Sequence, residues 1–315
     1  MEVSQDIHRI GICGIGQMGA AAAVAFKRSG YEVLLWGRNP DKLQAVQQTL
    51  ATLEDWMQSH VGPSPQSGGV IQSVDDLHPV DEQADLVMDC IAEEMDQKVD
   101  LFQRLAGCRM RGAIFITTTS GLSITELGRR SGCAEQLVGT HFWNPPHLMP
   151  LVEVVRGEQT LDSVMDRVCE LIESIGKIPV RVEKDVPGFI GNRMLHALWR
   201  EAIYLVECGV ASPADIDRVA RLTFGLRLAA VGPLENMDLV GLDLIETIHQ
   251  YLPAALCNDP EPVPALADSV TRGELGMKSG RGFYDWSERD PQSLIDARDS
   301  QIVHQLAYLK ERNLL

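Results

Sequence analysis

His141 closes the apolar run Val138-Gly139-Thr140-His141, and Glu153 lies 12 residues later inside a second run, Leu151-Val152-Glu153-Val154-Val155. The stretch Phe142-Trp143-Asn144-Pro145-Pro146 separates them as a Pro-rich turn. If the runs are neighbouring strands, the imidazole and the carboxylate can meet. Such a pair can take the proton of an alcohol during oxidation and return it during reduction. A histidine at a strand end is also a common structural group, so spacing alone leaves both readings open.

Gly14-Ile15-Gly16-Gln17-Met18-Gly19 follows the apolar run Ile7–Cys13 and opens an Ala-rich helix, Ala20-Ala21-Ala22-Ala23-Val24-Ala25. Gly14 permits the tight turn, Gly16 a close approach of backbone to a pyrophosphate, and Gly19 close packing of helix on strand. The free N–H groups and positive dipole end of the helix then face the anion, with Gln17 and Met18 in its first turn. Strand, turn and helix in this order predict a dinucleotide site; a methyltransferase with a similar loop is the main rival. An NAD enzyme usually carries an acid about 20 residues further on, for the ribose 2′-hydroxyl. The second run instead ends Leu35-Trp36-Gly37-Arg38-Asn39. Arg38 is suited to a 2′-phosphate, which favours NADP, or use of both NADP and NAD. The plainer reading makes Arg38 a solvated loop residue of an NAD enzyme.

Alternating strand and helix patterns must position these residues. Strands are predicted at Ile7–Cys13, Glu32–Trp36, Val70–Ser73, Asp85–Ile91, Ala113–Thr118, Gln136–His141, Leu151–Val155 and Pro179–Val182. Helical patterns fall between them, the signature of βαβ units and a mostly parallel sheet of Rossmann type. From about Phe189 the strand runs stop, and amphipathic helices follow at roughly 189–208, 213–223, 234–252 and 292–312. The turn Asp185-Val186-Pro187-Gly188 marks the change. The fold class is therefore α/β with an all-helical C-terminal domain: residues 1–186 are expected to bind dinucleotide, and residues 187–315 form the helical domain, to which the resemblance described below gives substrate binding and dimerisation. A chain of 315 residues suits two domains.

Composition narrows the partners. Lys and Arg number 28 against 44 Asp and Glu, a net charge of −16 that repels a polyphosphate backbone, so nucleic acid is not expected. No apolar run reaches the roughly 18 residues of a membrane helix. The start Met1-Glu2-Val3-Ser4-Gln5-Asp6 lacks a basic segment, so no signal peptide is expected. Seven scattered cysteines without a Cys-x-x-Cys pair fit reduced thiols in a cytoplasm. No metal enters this reading.

Over nearly its whole length the chain resembles the 3-hydroxyacyl-CoA dehydrogenase superfamily. The resemblance rests on Gly14–Gly19, Thr118-Thr119-Ser120, His141-Phe142-x-Asn144-Pro145, Leu151-Val152-Glu153-Val154, Pro187-Gly188-Phe189-Ile190-x-Asn192-Arg193, Gly232-Pro233 and Gly280-x-Gly282-Phe283-Tyr284. It implies an NAD(P)-dependent oxidoreductase in which His141 is the general base and Glu153 orients it. It also implies that Ser120 and Asn192 hold the reacting oxygen, that Asn144 lies beside the nicotinamide, and that Glu93 and Lys98 line the cofactor. Each has a plainer alternative: Ser120 as cap of the helix near Ser123, Asn192 as a helix-start residue, Glu93 and Lys98 as a solvated ion pair. The resemblance further implies a homodimer through the C-terminal helices, and Leu195, Leu198, Trp199, Ile203, Leu205 and Val206 span more than one helix face.

Three departures bear on the small-molecule substrate. Positions 43–97 contain no lysine or arginine, where CoA-using members carry a cationic arm for the CoA. Trp143 and His147 add bulk and an imidazole near the reaction centre, which makes Trp143 a substrate-contact candidate. The segment Gly225-Leu226-Arg227-Leu228-Ala229-Ala230-Val231-Gly232-Pro233 is similar to the free-acid branch of L-gulonate, L-carnitine and pyridoxine-breakdown dehydrogenases. Arg227 would there hold a substrate carboxylate bidentately; its alternative is a surface or interface ion pair. The expectation is hydride transfer between nicotinamide and the hydroxyl-bearing carbon of a free 3-hydroxy acid. A CoA thioester is the second reading, and a catalytically inert NAD(P)-binding protein the third.

Overall fold

Runs of β-branched and large apolar residues, too short for helices, become strands buried on both faces. In the computed structural model, which describes residues 7–314, Leu86–Asp89 and Ile114–Thr117 are buried throughout. Met1–Asp6, and with them the expectation about a leader, lie outside the described residues. The strands are β1 (Arg9–Cys13), β2 (Glu32–Trp36), β3 (Val70–Val74), β4 (Leu86–Asp89), β5 (Ile114–Thr117), β6 (Leu137–Phe142), β7 (Leu151–Arg156) and β8 (Ile178–Val182). They form one sheet in the order β3-β2-β1-β4-β5-β6-β7-β8. All neighbours are parallel except β6 and β7. The exception has a simple cause: the eight-residue turn 143–150 returns the chain directly beside itself. Strand order reverses direction between β1 and β4, and such a switch leaves a crevice at the carboxyl ends of the strands.

Helices α1 (Gln17–Arg28), α2 (Pro40–His60) and α7 (Asp162–Ser174) cover one face of the sheet. The other is covered by α3 (His78–Gln83), α4 (Met95–Arg104), α5 (Ala106–Met110) and α6 (Ile124–Ser131). Asn39 caps α2 by accepting from the Lys42 N–H, with Pro40 at the first position. Ser123 caps α6 through the Glu126 N–H. The cap is therefore Ser123, and Ser120 is not needed for that task.

The chain divides into two compact units, the first ending at Arg193 and the second beginning at Met194. Helix α8 (Gly191–Glu207) is followed by α9 (Pro213–Leu222), α10 (Phe224–Arg227), α11 (Pro233–Val240), α12 (Leu242–His249), α13 (Pro264–Thr271) and α14 (Pro291–Glu311). The helix expected over 234–252 is broken at Gly241, whose φ of 106° lies outside helical space and separates α11 from α12. Helix α13 was not expected; it starts on Pro264 and is short. Among the described residues of this second unit, only Val263 and Leu309 are buried apolar side chains. No described helix is long and apolar enough to cross a membrane.

Candidate active site

The antiparallel register of β6 and β7 sets His141 directly opposite Glu153. The His141 Nδ1 to Glu153 Oε2 distance is 2.7 Å, with the two residues 5% and 2% exposed. A carboxylate can only accept, so Nδ1 carries a proton, and in the neutral ring the lone pair is therefore on Nε2. The other oxygen, Oε1, accepts from the backbone N–H groups of Ile190 (2.9 Å) and Gly191 (3.0 Å). Successive N–H groups converge there because Gly188 and Phe189 both have positive φ, 76° and 50°. The left-handed conformation costs a non-glycine residue about 1–2 kcal/mol, and full burial of the Phe189 ring offsets it. Burial acts to raise the Glu153 pKa. The hydrogen bonds from His141, Gly191 and Ile190 outweigh it and hold the carboxyl below its ordinary value.

Ser120 follows the end of β5. Its N–H donates to Glu93 Oε1 (2.7 Å), and its carbonyl accepts from Asn192 Nδ2 (3.1 Å). Both backbone groups are thereby engaged, and the residue itself is exposed. The Thr119 hydroxyl shares Glu93 Oε1 at 2.5 Å. Lys98 is placed differently from a solvated pair or a surface contact. It is 1% exposed, donating to the fully buried Asp89 at 2.7 Å, with Glu93 Oε2 at 3.5 Å. Asp89 also accepts from the Thr117 hydroxyl (2.7 Å) and the Ile91 N–H (3.0 Å). Asp89 and Thr117 were not singled out from the sequence, and Thr119 entered only as part of the Thr118-Thr119-Ser120 match. The available signal was an acid ending a four-residue strand that is otherwise apolar, since a buried carboxylate requires partners.

The glycine loop fits a dinucleotide. A Cβ on Gly19 would fall 1.9 Å from the Gly14 carbonyl oxygen, and one on Gly14 2.4 Å from that of Cys90, whereas Gly16 faces open space. The first turn of α1 carries no acid and no side-chain cap, leaving its N–H groups for an anion. Gln17 donates to Asn144 Oδ1 at 3.2 Å, joining this loop to the turn after His141. Met18 packs on the core. Beside β2, a cavity of about 260 Å³ is lined by Trp36, Arg38, Ile91 and Arg104, and by the acids Asp96 and Asp100. A Cβ on Gly37 would meet only the Ile15 side chain, at 2.9 Å.

Lys177 is buried under the β6–β7 turn, donating to the carbonyls of Pro146 and Met149, each at 2.8 Å. No carboxylate pairs with it among the described residues, and burial pushes its pKa from 10.5 down to about 8. Between those values the unfolded chain holds a proton that the folded chain has released, so through this group stability rises with pH. The neutral amine still has hydrogens for both carbonyls. Relative to Lys177→Met, the wild type is expected to gain up to about 3 kcal/mol between pH 8 and 10.5. Denaturant unfolding of both proteins at the two pH values checks this; a stability gap that does not change with pH contradicts it.

In the second unit, Arg227 ends α10, exposed and without a side-chain partner among the described residues. All seven cysteines are free thiols.

Comparison with known proteins finds two family models in sequence. The model described as 3-hydroxyacyl-CoA dehydrogenase, NAD binding domain matches residues 9–186, and its C-terminal domain matches residues 188–286. A 5-formyl-3-hydroxy-2-methylpyridine 4-carboxylate 5-dehydrogenase of Mesorhizobium japonicum is 33% identical over 94% of this chain and 96% of that protein. A crystal structure of an enzyme so named, described as an NAD+ dependent dismutase, matches with a TM-score of 0.91. It is 33% identical and covers 97% of this chain and 99% of that one. A "Probable 3-hydroxybutyryl-CoA dehydrogenase" of Bacillus subtilis is 35% identical over 90% of this chain and 99% of that protein.

Proposed function

Because the chain belongs to the 3-hydroxyacyl-CoA dehydrogenase family and is an NAD-dependent dehydrogenase, we propose that it oxidises a free 3-hydroxy acid with His141 as base. The observation that carries the role of His141 is its buried contact with Glu153. Glu153, held by three donors, fixes the tautomer, so Nε2 accepts the substrate's hydroxyl proton and returns it in the reverse direction. Ser120 and Asn192 hold the oxygen that loses this proton; each has hydrogen-bonding capacity left after the contacts described. Asn144 and the first turn of α1 line the cofactor, and Glu93 with Lys98 braces that wall. Bound nicotinamide supplies the hydride acceptor.

The free acid is favoured over a CoA thioester by the Mesorhizobium relative, named for a carboxylate, and by helix α2. Beyond Lys42 that helix has no lysine or arginine to meet CoA phosphates. Arg227 is the proposed carboxylate anchor. The test follows NADH absorbance on free 3-hydroxy acids and on their CoA thioesters. Turnover of the acids is expected; efficient turnover of the thioesters alone would return the chain to the CoA branch, which the Bacillus relative represents.

Two finer assignments accompany this reading. Exposed Arg38, facing the cavity beside Trp36, supports acceptance of NADP alongside NAD. Gly37→Asp with Arg38→Ala is then expected to move preference toward NAD, with only the Ile15 side chain to displace. Titration of the unmodified protein checks the premise, and binding of NAD alone contradicts it. The helices α8 to α13 bury no side chain of their own, and Trp199 and Leu239 remain 48% and 76% exposed. A second copy of the chain covering them, as a homodimer, is the expected assembly. Light scattering at micromolar concentration tests it, and a monomer contradicts it. The unpaired thiols favour the cytoplasm.

A further inference from the structure

Gly191 has no room for a side chain, and the obstacle is a single residue. A Cβ built there would lie 2.1 Å from Trp143 Cζ2, 2.9 Å from Cη2 and 3.1 Å from Cε2. The backbone does not demand glycine at this position, since its φ is not in the left-handed region. The indole therefore seats in a notch that exists because residue 191 has no Cβ. Its other side meets the reacting imidazole: the rings of Trp143 and His141 lie 5.0 Å apart, edge on, at 62°. The same Gly191 gives its N–H to Glu153. Notch, indole, imidazole and carboxylate thus form a closed circuit of contacts. An aromatic side chain has only two rotatable bonds, and a ring wedged on two sides cannot swing away to admit a larger substrate.

We propose that Trp143 and Gly191 form a specificity-determining pair, in which the glycine notch seats the indole against His141 and the indole restricts the reaction to compact 3-hydroxy acids. The proposal rests on His141 being the reacting base and deepens that reading by naming what limits substrate size. Replacing the indole with a phenyl ring opens space for roughly a methylene or more, and one methylene in an apolar pocket is worth about 10–200-fold in discrimination. Filling the notch while the indole stays must push the indole onto His141 or pull the Gly191 N–H from Glu153. Filling it after the indole has been reduced removes the conflict. The two positions must therefore be strongly non-additive.

The experiment compares the wild type, Gly191→Ala, Trp143→Phe and the double variant on 3-hydroxybutyrate and 3-hydroxyoctanoate, with the matching thioesters run in parallel. Gly191→Ala is expected to lose about 100-fold or more in kcat/KM, and the double variant to recover to within about 10-fold of Trp143→Phe. In Trp143→Phe the ratio of kcat/KM for the long acid over the short one should rise at least about 10-fold. NAD titration of each variant reports whether the first unit is folded. Should Gly191→Ala fail to fold, folding and activity of the double variant support the pair, and its failure overturns it. A fully active Gly191→Ala, or a chain-length ratio unchanged in Trp143→Phe, also overturns it. Inactivity on both acids with turnover of the thioesters refutes the free-acid reading instead, and the chain-length ratio is then read on the thioesters.

Discussion

Replacing His141 by alanine is expected to lower turnover by roughly 10²–10⁴-fold while leaving NAD affinity unchanged. The imidazole lies at the junction of β6 and β7, and none of its hydrogen bonds in the structure goes to the glycine loop. Its removal therefore deletes a proton acceptor without disturbing the phosphate cradle. Glu153→Gln should cost less, and for a different reason. The two backbone N–H groups of Ile190 and Gly191 require an oxygen, so the amide would turn its NH2 toward His141. Nδ1 must then accept, which moves the ring proton to Nε2, where an acceptor is needed. The imidazole stays in place in the wrong tautomer. Steady-state kinetics with NAD titration measure both effects; a His141→Ala protein with near-normal turnover would remove the base from the mechanism.

Arg227→Met is expected to raise KM for a free 3-hydroxy acid by about 10–100-fold and to matter far less for the corresponding neutral ester or amide. A charge-assisted hydrogen bond contributes roughly 1.5–3 kcal/mol, which converts to that range. Arg227 has no side-chain partner among the described residues, so its loss orphans no carboxylate inside the protein. The expected change is thus in binding and not in stability. Comparing acid and ester on both proteins separates charge recognition from general damage. An equal loss on both substrates, or none on either, excludes Arg227 as the anchor.

Much of the first unit can be read from the chain because the strands between the two edges, β1, β2 and β4 to β7, are largely buried on both faces and so appear as mainly apolar runs. The meeting of His141 with Glu153 is legible for the same reason: a short turn between two such runs makes the strands neighbours. The second unit is less legible. Gly241 interrupts an apolar periodicity that continues across it, and α13 buries no side chain, so its pattern carries little of the signal that burial imposes. Within the site, the contacts that escaped notice join distant segments: Lys177 to the turn at Pro146 and Met149, Lys98 to Asp89, and Trp143 to Gly191. Their residue types are ordinary. Only the sheet order brings them together.

The anchoring of Glu153 by main-chain N–H groups bears on how such a site can diverge. A backbone donor is not encoded by the identity of its side chain, so Ile190 can be exchanged without removing the hydrogen bond to the carboxylate. What the anchor requires is the backbone path through Gly188 and Phe189, set two residues upstream. Inheritance of the proton-transfer machinery and drift of the walls around it are thus assigned to different positions of one short turn. On the proposed roles, side chains at 190, or at 191 together with 143, can be exchanged for new substrates while His141 keeps its contact with Glu153.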